Sequence, residues 1–291
     1  MSAVPLEQAL DEALFGGKAC QLAVAARAGL RVPAGVALSV PLVEAVAGGD
    51  RAATVALDRA LCPLKPPLAA RSSAVGEDSE QASFAGQHAT WLNLSGGPRA
   101  AEAVRAIWQS ARSPAALSYR RRLGLPGEPR IAVVVQELVA ADCAGVLFSR
   151  DPVDGSADLV IEGSWGLGEA VVTGLVVPDR FRVNRDGSVR ERAPGLKDML
   201  VSPAPGGGTR RTEVPAERAK QLCLDDSQVR ELVALALRCD EVFTGAHDLE
   251  WAFRVRDLFL LQRRALTRVP AAAHVKKEPS FEGGSRRQLP T

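Results

Sequence analysis

The sequence predicts an α+β fold, because its predicted helices and strands are mixed without a regular βαβ repeat and without internal repeats. Residues 131–135 form a nearly continuous apolar run, which is typical of a strand covered on both faces. Residues 249–255 and 258–264 form a predicted hairpin. Asp225 is a suitable N-cap for a helix to about Phe243, in which apolar residues recur at the spacing of one buried stripe.

The remaining elements are predicted from the same periodicities and from glycine and proline breaks. Helices are expected at 6–14, about 19–27, 41–61 with an interruption at 48–49, about 98–111 and 114–123, and strands at 36–40, 68–72, 90–94, 146–148, 159–161 and 181–183. Residues 202–212 are expected to form a loop. The segment from Arg268 onward is rich in proline, glycine and charge, which predicts a linker or a disordered tail.

Length and composition restrict the function classes. A chain of 291 residues with 46% hydrophobic and 24% charged residues can form one large domain or two lobes around a cleft. The net charge of +2 argues against nucleic acid as the main partner. Because no apolar run reaches membrane-spanning length and no secretion signal is visible, we expect a cytoplasmic protein without a membrane partner. Five cysteines without a CxxC pair favour reduced thiols.

The C-terminal hairpin carries the most informative polar residues. If Glu250 lies opposite Gln262, in a register centred on Arg256, then Glu250, Gln262 and Arg264 project from one face. These groups suit a magnesium–polyphosphate site, because magnesium prefers oxygen ligands and arginine binds phosphate in a fork. The alternative is an amphipathic hairpin with a solvated polar face. The opposite side is predicted to point Trp251, Phe253, Phe259 and Leu261 into a core.

Two segments in the first half of the chain have residue types that bind phosphate. Residues 16–18, Gly-Gly-Lys, begin a predicted helix, whose free amides and Lys18 charge can attract an anion. The full P-loop pattern is missing, so a helix-start turn with a solvated lysine is the alternative. Arg71 lies near the end of a predicted strand, which leads into a loop of small residues at 83–87. This loop can close on a polyphosphate or simply join two strands.

Glycines around Trp165 predict a tight turn.

Taken together, these segments resemble the ATP-binding domain that opens phosphoenolpyruvate synthase, pyruvate phosphate dikinase and rifampin phosphotransferase. The resemblance covers about residues 14–267, in the family's order. The matching blocks are 16–18 with 29–33, 71–74 through 83–87, 133–136, 144–148 with 151–153 running through 164–169 to 178–180, and 249–252 with 260–262 and Arg264.

The resemblance implies an ATP-grasp fold in which two lobes enclose a nucleotide cleft that binds ATP and Mg²⁺. The implied lobes are residues 1–130 and 131–267, followed by a disordered tail or linker at 268–291. Lys18, Arg71 and Arg264 match the catalytic, phosphate-contacting residues of the family. The other matched residues are Ser83, Ala85 and Gly86 in the loop over the phosphates, Gln136, Glu137 and Leu138 in the segment whose backbone contacts adenine, and Glu250 and Gln262 as magnesium ligands.

The chain also departs from the family pattern. Residues 263–265 are Arg-Arg-Ala, where the family usually has a small residue, arginine and proline. The family transfers phosphate through a histidine on a separate swivelling domain, and that motif surrounds none of His88, His247 and His274. The acceptor-binding domain of the family has no counterpart in the sequence either.

We therefore predict the ATP-binding, ATP-cleaving subunit of a split dikinase-type phosphotransferase. It is expected to form AMP and to pass phosphate to a histidine on a separate partner protein, and then to a small molecule held by an acceptor-binding subunit. One alternative is a stand-alone ATP-grasp ligase or kinase that forms an acyl phosphate and ADP. A non-catalytic nucleotide-binding subunit is another, and the chain can also be a fragment of a longer protein.

Overall fold

Two antiparallel sheets, one in each half of the chain, form the framework of the computed structural model. The structure describes residues 2–76, 90–122 and 127–266. This mixture of helices and antiparallel sheets confirms the predicted α+β class. The predicted loop residues Ser83, Ala85 and Gly86 and the predicted tail at 268–291 lie outside the described residues.

The first sheet has five strands and is covered by helices on both faces. Its strands are β1 (Ala3–Pro5), β2 (Gly35–Leu38), β3 (Leu68–Ala74), β4 (Thr90–Leu94) and β5 (Ile131–Glu137), in the spatial order β1-β2-β5-β3-β4. The helices of this half are α1 (Glu12–Arg27), α2 (Val40–Ala47), α3 (Arg51–Leu61), α4 (Gly97–Ser110) and α5 (Pro114–Arg122). Val134 of β5 packs with α1, whereas Val133 and Val135 pack with α2, α3 and α4. This double cover explains the apolar run at 131–135.

The second sheet has six strands, one face of which packs on a long helix. The strands of this half are β6 (Cys143–Phe148), β7 (Leu159–Trp165), β8 (Asp179–Val183), β9 (Val189–Ala193), β10 (Met199–Pro203), β11 (Thr209–Glu213), β12 (His247–Arg254) and β13 (Asp257–Ala265). The helices are α6 (Glu169–Val172), α7 (Ala216–Ala219) and α8 (Asp226–Val242). The sheet order is β13-β12-β6-β7-β8-β9, and β10 and β11 form a separate ribbon. As predicted, Asp225 caps α8, where it accepts a hydrogen bond from the Gln228 amide at 2.9 Å.

The two halves contact each other away from the central cleft through β4. Asn93 donates hydrogen bonds to the carbonyl oxygens of Ala204 and Gly208, both at 2.7 Å, and so joins β4 to the β10–β11 ribbon. Asn93 has a positive φ of 59°, which asparagine tolerates better than most residues. Within the described ranges, no helix is both long and apolar enough to cross a membrane.

Three predicted boundaries differ from the structure. Because β5 pairs with both β2 and β3, it belongs to the first sheet, and the chain passes to the second sheet only after Glu137. The predicted lobe boundary lay between 130 and 131. Residues 202–212, predicted as a loop, contain most of the β10–β11 ribbon, whose turn is formed by three glycines with positive φ at 206–208. The helix predicted at 6–14 is a 3₁₀ turn at Leu6–Gln8, and α1 begins only at Glu12.

Candidate functional site

Arg71 of β3 reaches across the cleft between the two sheets and binds the C-terminal hairpin. Its guanidinium forms a salt bridge with the Glu250 carboxylate and donates a hydrogen bond to Gln262 Oε1 at 2.9 Å. A further hydrogen bond goes to the Leu261 carbonyl oxygen at 2.5 Å. The structure therefore brings together three residues that are separated by up to 191 positions in the sequence.

The hairpin places Glu250 opposite Gln262, as predicted, but its register changes beyond this pair. A bulge follows Glu250, so Trp251 pairs with Leu260. One extra residue on β13 reverses which side chains face the core. The prediction that Phe259 and Leu261 point into the core was therefore wrong for both residues. Trp251 and Phe253 are fully buried in the core against α8, as predicted, and Leu260 is buried with them.

On the cleft side of the sheet, the same bulge creates an apolar floor. Phe259 and Leu261 pack there with Val139, Ala144 and Ala252. These side chains lie beside the polar pair Glu250 and Gln262. A surface of this kind can accept the flat, apolar faces of a ligand while the polar pair binds its charged end.

A break in α1 positions Lys18 at the same cleft. Gly16 adopts φ 75° and ψ 167°, so the helix is interrupted one turn after its start, as the glycine pair predicted. A Cβ at Gly16 would lie 2.2 Å from the Ser73 carbonyl oxygen, so the close approach of α1 to β3 requires glycine. Lys18 is only 5% exposed, and its charge acts on Glu250. The alternative of a solvated lysine is therefore wrong.

The charges around Glu250 keep this carboxylate ionised. Burial alone raises the pKa of Glu250, but the positive charges of Arg71, Arg264 and Lys18 outweigh burial and hold the pKa below its usual value. Four of the predicted site residues thus interact electrostatically, and Gln262 joins them through Arg71. The alternative of a solvated polar face is wrong for this part of the hairpin.

Asp248 is a site residue that the sequence analysis missed. It lies two positions before Glu250 on the same strand face and pairs with Arg264. Its Oδ1 atom is buried without a hydrogen-bond partner. Burial and the neighbouring Glu250 charge raise its pKa to about 6, although Arg264 partly offsets them. The available signal was the alternation itself, because Asp248 and Glu250 occupy consecutive positions of one face.

The segment predicted to contact adenine lies at the junction of the sheets, where its amides already have partners. The Glu137 amide donates to the Ala34 carbonyl oxygen at 2.9 Å, and the Leu138 amide donates to the Pro67 carbonyl oxygen at 2.8 Å. The Gln136 side chain is buried and donates to the Pro33 carbonyl oxygen at 3.1 Å. A base that uses either amide must therefore share it with a carbonyl oxygen of the first half of the chain.

The glycine-rich block around Trp165 packs as a structural turn. The Trp165 indole donates to the Arg218 carbonyl oxygen at 3.2 Å, and the Arg218 guanidinium lies 4.5 Å from the centre of its ring. Gly166 has φ 78°, and a Cβ there would lie 2.5 Å from the Val201 carbonyl oxygen. Gly166 thus allows close backbone contact between the end of β7 and β10.

The oxygen atoms at the hairpin fit a magnesium ion that arrives with a polyphosphate. Glu250 and Gln262 supply a carboxylate and an amide oxygen, and the orphaned Oδ1 of Asp248 lies at the neighbouring register position. Among the described residues, no group of three or more His, Cys, Asp or Glu side chains could hold a metal by itself. Magnesium commonly binds to one or two carboxylates and completes its octahedron with phosphate oxygens and water.

Two facing antiparallel sheets with this charged cleft between them define an ATP-grasp nucleotide-binding domain. The family model for the pyruvate phosphate dikinase, AMP/ATP-binding domain, matches residues 51–284. The chain belongs to this family. Arg71, Glu250, Gln262 and Arg264 lie inside the matched range, whereas Lys18 precedes it.

Two relatives of similar sequence agree with the family assignment. A probable phosphoenolpyruvate synthase of Methanothermobacter thermautotrophicus is 38% identical over 217 residues, which cover 74% of this chain and 32% of the relative. A rifampicin phosphotransferase of Streptomyces sviceus is 40% identical over 201 residues, covering 68% of this chain and 23% of the relative. The chain therefore spans a third or less of these two relatives. D-alanyl-alanine synthetase A of Vibrio cholerae superposes with a TM-score of 0.39 at 9% identity, over 90% of this chain and 58% of that protein.

Proposed function

We propose that the chain binds ATP with magnesium in the cleft and cleaves it as the nucleotide subunit of a split dikinase-type phosphotransferase. The β,γ-diphosphoryl group goes to a histidine on a separate partner protein as AMP leaves, and water removes the terminal phosphate as inorganic phosphate. The remaining phosphoryl group then passes to a small molecule held by an acceptor-binding subunit. The observation that carries this proposal is the convergence of Arg71 and Lys18 from the first half of the chain on Glu250 and Gln262 from the last hairpin. Arg264 contributes a third positive charge at the same carboxylate.

The residues present can bind and orient a triphosphate. Lys18, Arg71 and Arg264 would contact its oxygens, while Glu250 and Gln262 would hold the metal. Magnesium, when bound, neutralises charge that spreads over the phosphate oxygens as the bond to the leaving nucleotide breaks. The contribution of the protein is then positioning and electrostatic stabilisation within a partly buried cleft.

The histidines favour an acceptor outside the described part of the chain. Among the described residues, the single histidine is His247, which is fully buried in the second half of the chain. Its ring contacts the Arg263 guanidinium and the Asp240 carboxylate, so it cannot meet a phosphate in the cleft without unfolding its surroundings.

We also propose a cytoplasmic location, since all five cysteines are unpaired and Cys62 is exposed.

The test uses labelled ATP and a candidate partner that carries an exposed histidine motif. The chain, Mg²⁺ and the partner are incubated together, and nucleotides and protein-bound label are separated. We expect AMP and acid-labile label on the partner, and neither product with a partner whose histidine is replaced by alanine. A parallel incubation without the partner but with added carboxylic acids tests the ligase alternative, which ADP and an acyl phosphate would support. Tight ATP binding without turnover under any partner would support the non-catalytic alternative.

A further inference from the structure

Arg71 binds the same oxygen atoms that the proposed function assigns to a metal ion. Its guanidinium contacts the Glu250 carboxylate and Gln262 Oε1, and it also reaches the Leu261 carbonyl oxygen. Both predicted magnesium ligands are therefore used by one side chain of the opposite sheet. A guanidinium and a divalent cation compete for this position, because both approach the same two oxygen atoms and their positive charges repel each other.

We propose that Arg71 takes the place of the metal in the nucleotide-free cleft, so that Glu250 and Gln262 accept a divalent cation only together with a nucleotide. This inference rests on the proposed function and adds an order of binding to it. Arg71 is a positioning residue for the empty site and becomes a phosphate ligand in the loaded one.

An exchange of partners follows from the chemistry of arginine. Arginine is a permanent cation in proteins, so loss of charge is no route by which this contact opens. Arg71 can leave only for another strong acceptor. A triphosphate supplies such an acceptor, since its oxygens match the fork of the guanidinium as well as a carboxylate does. The departing Arg71 then frees Glu250 and Gln262 for the metal that the triphosphate carries.

The composition of the site also disfavours a metal without nucleotide. The described residues group no three acidic or metal-binding side chains in one place, so phosphate oxygens would have to complete the coordination. Three positive side chains act on Glu250. A free metal ion therefore meets a carboxylate that is already neutralised, whereas a metal–triphosphate complex brings negative charge for each of these side chains.

The position of Arg71 couples this exchange to the two halves of the chain. Arg71 belongs to β3 in the first sheet, and its three acceptors lie on β12 and β13 in the second. The contact links the two sheets directly. A bound nucleotide would replace the hairpin as the partner of Arg71, so the link between the two halves would then run through the nucleotide.

The test is the binding of Mn²⁺ alone, followed by electron paramagnetic resonance of the free ion. We expect wild-type chain to bind Mn²⁺ weakly without nucleotide and at least about tenfold more tightly with a non-hydrolysable ATP analogue present. Arg71→Met should raise the nucleotide-free Mn²⁺ affinity at least about tenfold, because it frees both ligands. The double variant Arg71→Met, Glu250→Gln should lose this gain, which would place the ion at Glu250.

Arg264→Met is the matched control, since it removes the same unit of charge from the neighbouring register position. We expect less than about a threefold gain from it. Equal gains from the two single variants, or tight Mn²⁺ binding by wild type without nucleotide, would overturn the proposal. Circular dichroism checks folding, and Arg71→Gln replaces Arg71→Met if the latter does not fold. If wild type binds no Mg-ATP in calorimetry, the proposed function itself fails; if it does bind and Arg71→Met gains nothing, only this inference fails.

Discussion

The Ser73 hydroxyl accepts a hydrogen bond from the Ala19 amide at 3.0 Å and donates one to the Phe15 carbonyl oxygen at 2.7 Å. These two backbone groups lie on either side of the break in α1 at Gly16. Ser73 is fully buried and sits two positions after Arg71 on the same face of β3. The strand that carries Arg71 therefore also fixes the turn that carries Lys18, and the two cations are positioned by one element.

Replacing Ser73 by alanine should weaken both the fold and nucleotide binding. The substitution leaves the Ala19 amide and the Phe15 carbonyl oxygen without this partner, which costs about 1–3 kcal/mol for each buried group left unsatisfied. Urea denaturation measures the stability, and calorimetry measures Mg-ATP affinity. Ser72→Ala, on the opposite face of β3, is the control and should leave Mg-ATP affinity within about twofold. Unchanged ATP affinity in Ser73→Ala would show that the hydroxyl does not position Lys18.

Gly16→Ala should be more damaging than an alanine at an equally unusual glycine. Gly16 and Gly49 both have positive φ, 75° and 84°. An added Cβ at Gly16 would meet the Ser73 carbonyl oxygen at 2.2 Å, whereas nothing lies within 4 Å at Gly49. We expect Gly49→Ala to cost about 1 kcal/mol from backbone strain, and Gly16→Ala to add a steric clash of several kcal/mol. Thermal melting of the two variants side by side measures the difference, and equal losses would contradict the close approach seen here.

Glu250→Gln tests the carboxylate at the centre of the cleft. Losing a charged ligand should weaken binding of Mg-ATP by at least about 10- to 100-fold, which is the loss reported when a residue that merely supports a metal ligand is changed. The stability should fall as well, because Arg71, Arg264 and Lys18 lose the carboxylate that offsets their charge, although glutamine can still accept a hydrogen bond from Arg71. Glu191→Gln, an exposed carboxylate on β9, controls for the change in net charge. Calorimetry with Mg-ATP gives the result, and equal affinities of the two variants would remove Glu250 from the site.

The hairpin shows how far sequence patterns carried the prediction of the site. The pairing of Glu250 with Gln262 was predictable, because two runs of alternating residues flank a short polar turn. The bulge after this pair was not predictable from the sequence. One extra residue in β13 hardly changes the pattern of apolar and polar residues, but it moves every following side chain to the opposite face of the sheet. Phe259 and Leu261 were therefore assigned to the wrong side. An alternating sequence pattern does not show where a bulge shifts the alternation by one residue.

The contact between Arg71 and Glu250 lies beyond any local pattern. The two residues are separated by 179 positions. Neither has a local sequence pattern in its own strand that predicts the other as a partner. Only the resemblance to a family placed them in one cleft. The same limit applied to β5, whose apolar run predicted a buried strand but not its position between β2 and β3. Partners of a strand depend on packing between distant segments, and local propensity carries no information about them.

Removing one member of the buried ion pair between Asp179 and Lys197 should strongly destabilise the second half of the chain. Both side chains are fully buried, and the Asp179 carboxylate accepts from Lys197 Nζ at 2.5 Å. It also accepts from the amides of Gly195 at 2.9 Å and Cys223 at 2.7 Å. Asp179→Ala leaves a buried lysine without this carboxylate, which typically costs about 3–5 kcal/mol. Urea denaturation should show this loss.

An exposed ion pair provides the control for Asp179. Arg99 and Glu102 form an i, i+3 pair in which both side chains are more than half exposed. Glu102→Ala should cost less than about 1 kcal/mol, since solvent screens such pairs. The double variant Asp179→Leu, Lys197→Met should recover part of the stability lost in Asp179→Ala, because no unpaired charge remains buried. A loss below about 1 kcal/mol in Asp179→Ala would contradict the burial of the pair.

His247 should make the protein less stable in mildly acidic solution. The side chain is fully buried, its Nδ1 faces the Arg263 guanidinium at 3.0 Å, and its Nε2 lies 3.1 Å from Oδ1 of Asp240. Burial, aided by the Arg263 charge, lowers the pKa of His247 from 6.5 to about 4, although Asp240 opposes the shift. As the pH falls through 6.5 the unfolded chain takes up a proton that the folded chain refuses until about pH 4. Stability is therefore lost across this window, by about 3 kcal/mol in total.

His247→Asn isolates this contribution, because an amide oxygen can still accept from Arg263 but cannot titrate in this range. Urea midpoints of wild type and variant at pH 7, 5.5 and 4.5 give two curves that share the contributions of all carboxylates. The stability difference between wild type and variant should shrink steadily as the pH falls, by about 1.4 kcal/mol for each pH unit below 6.5. Parallel curves would mean that His247 titrates alike in the folded and unfolded chains, and hence that its ring is not held neutral between Arg263 and Asp240.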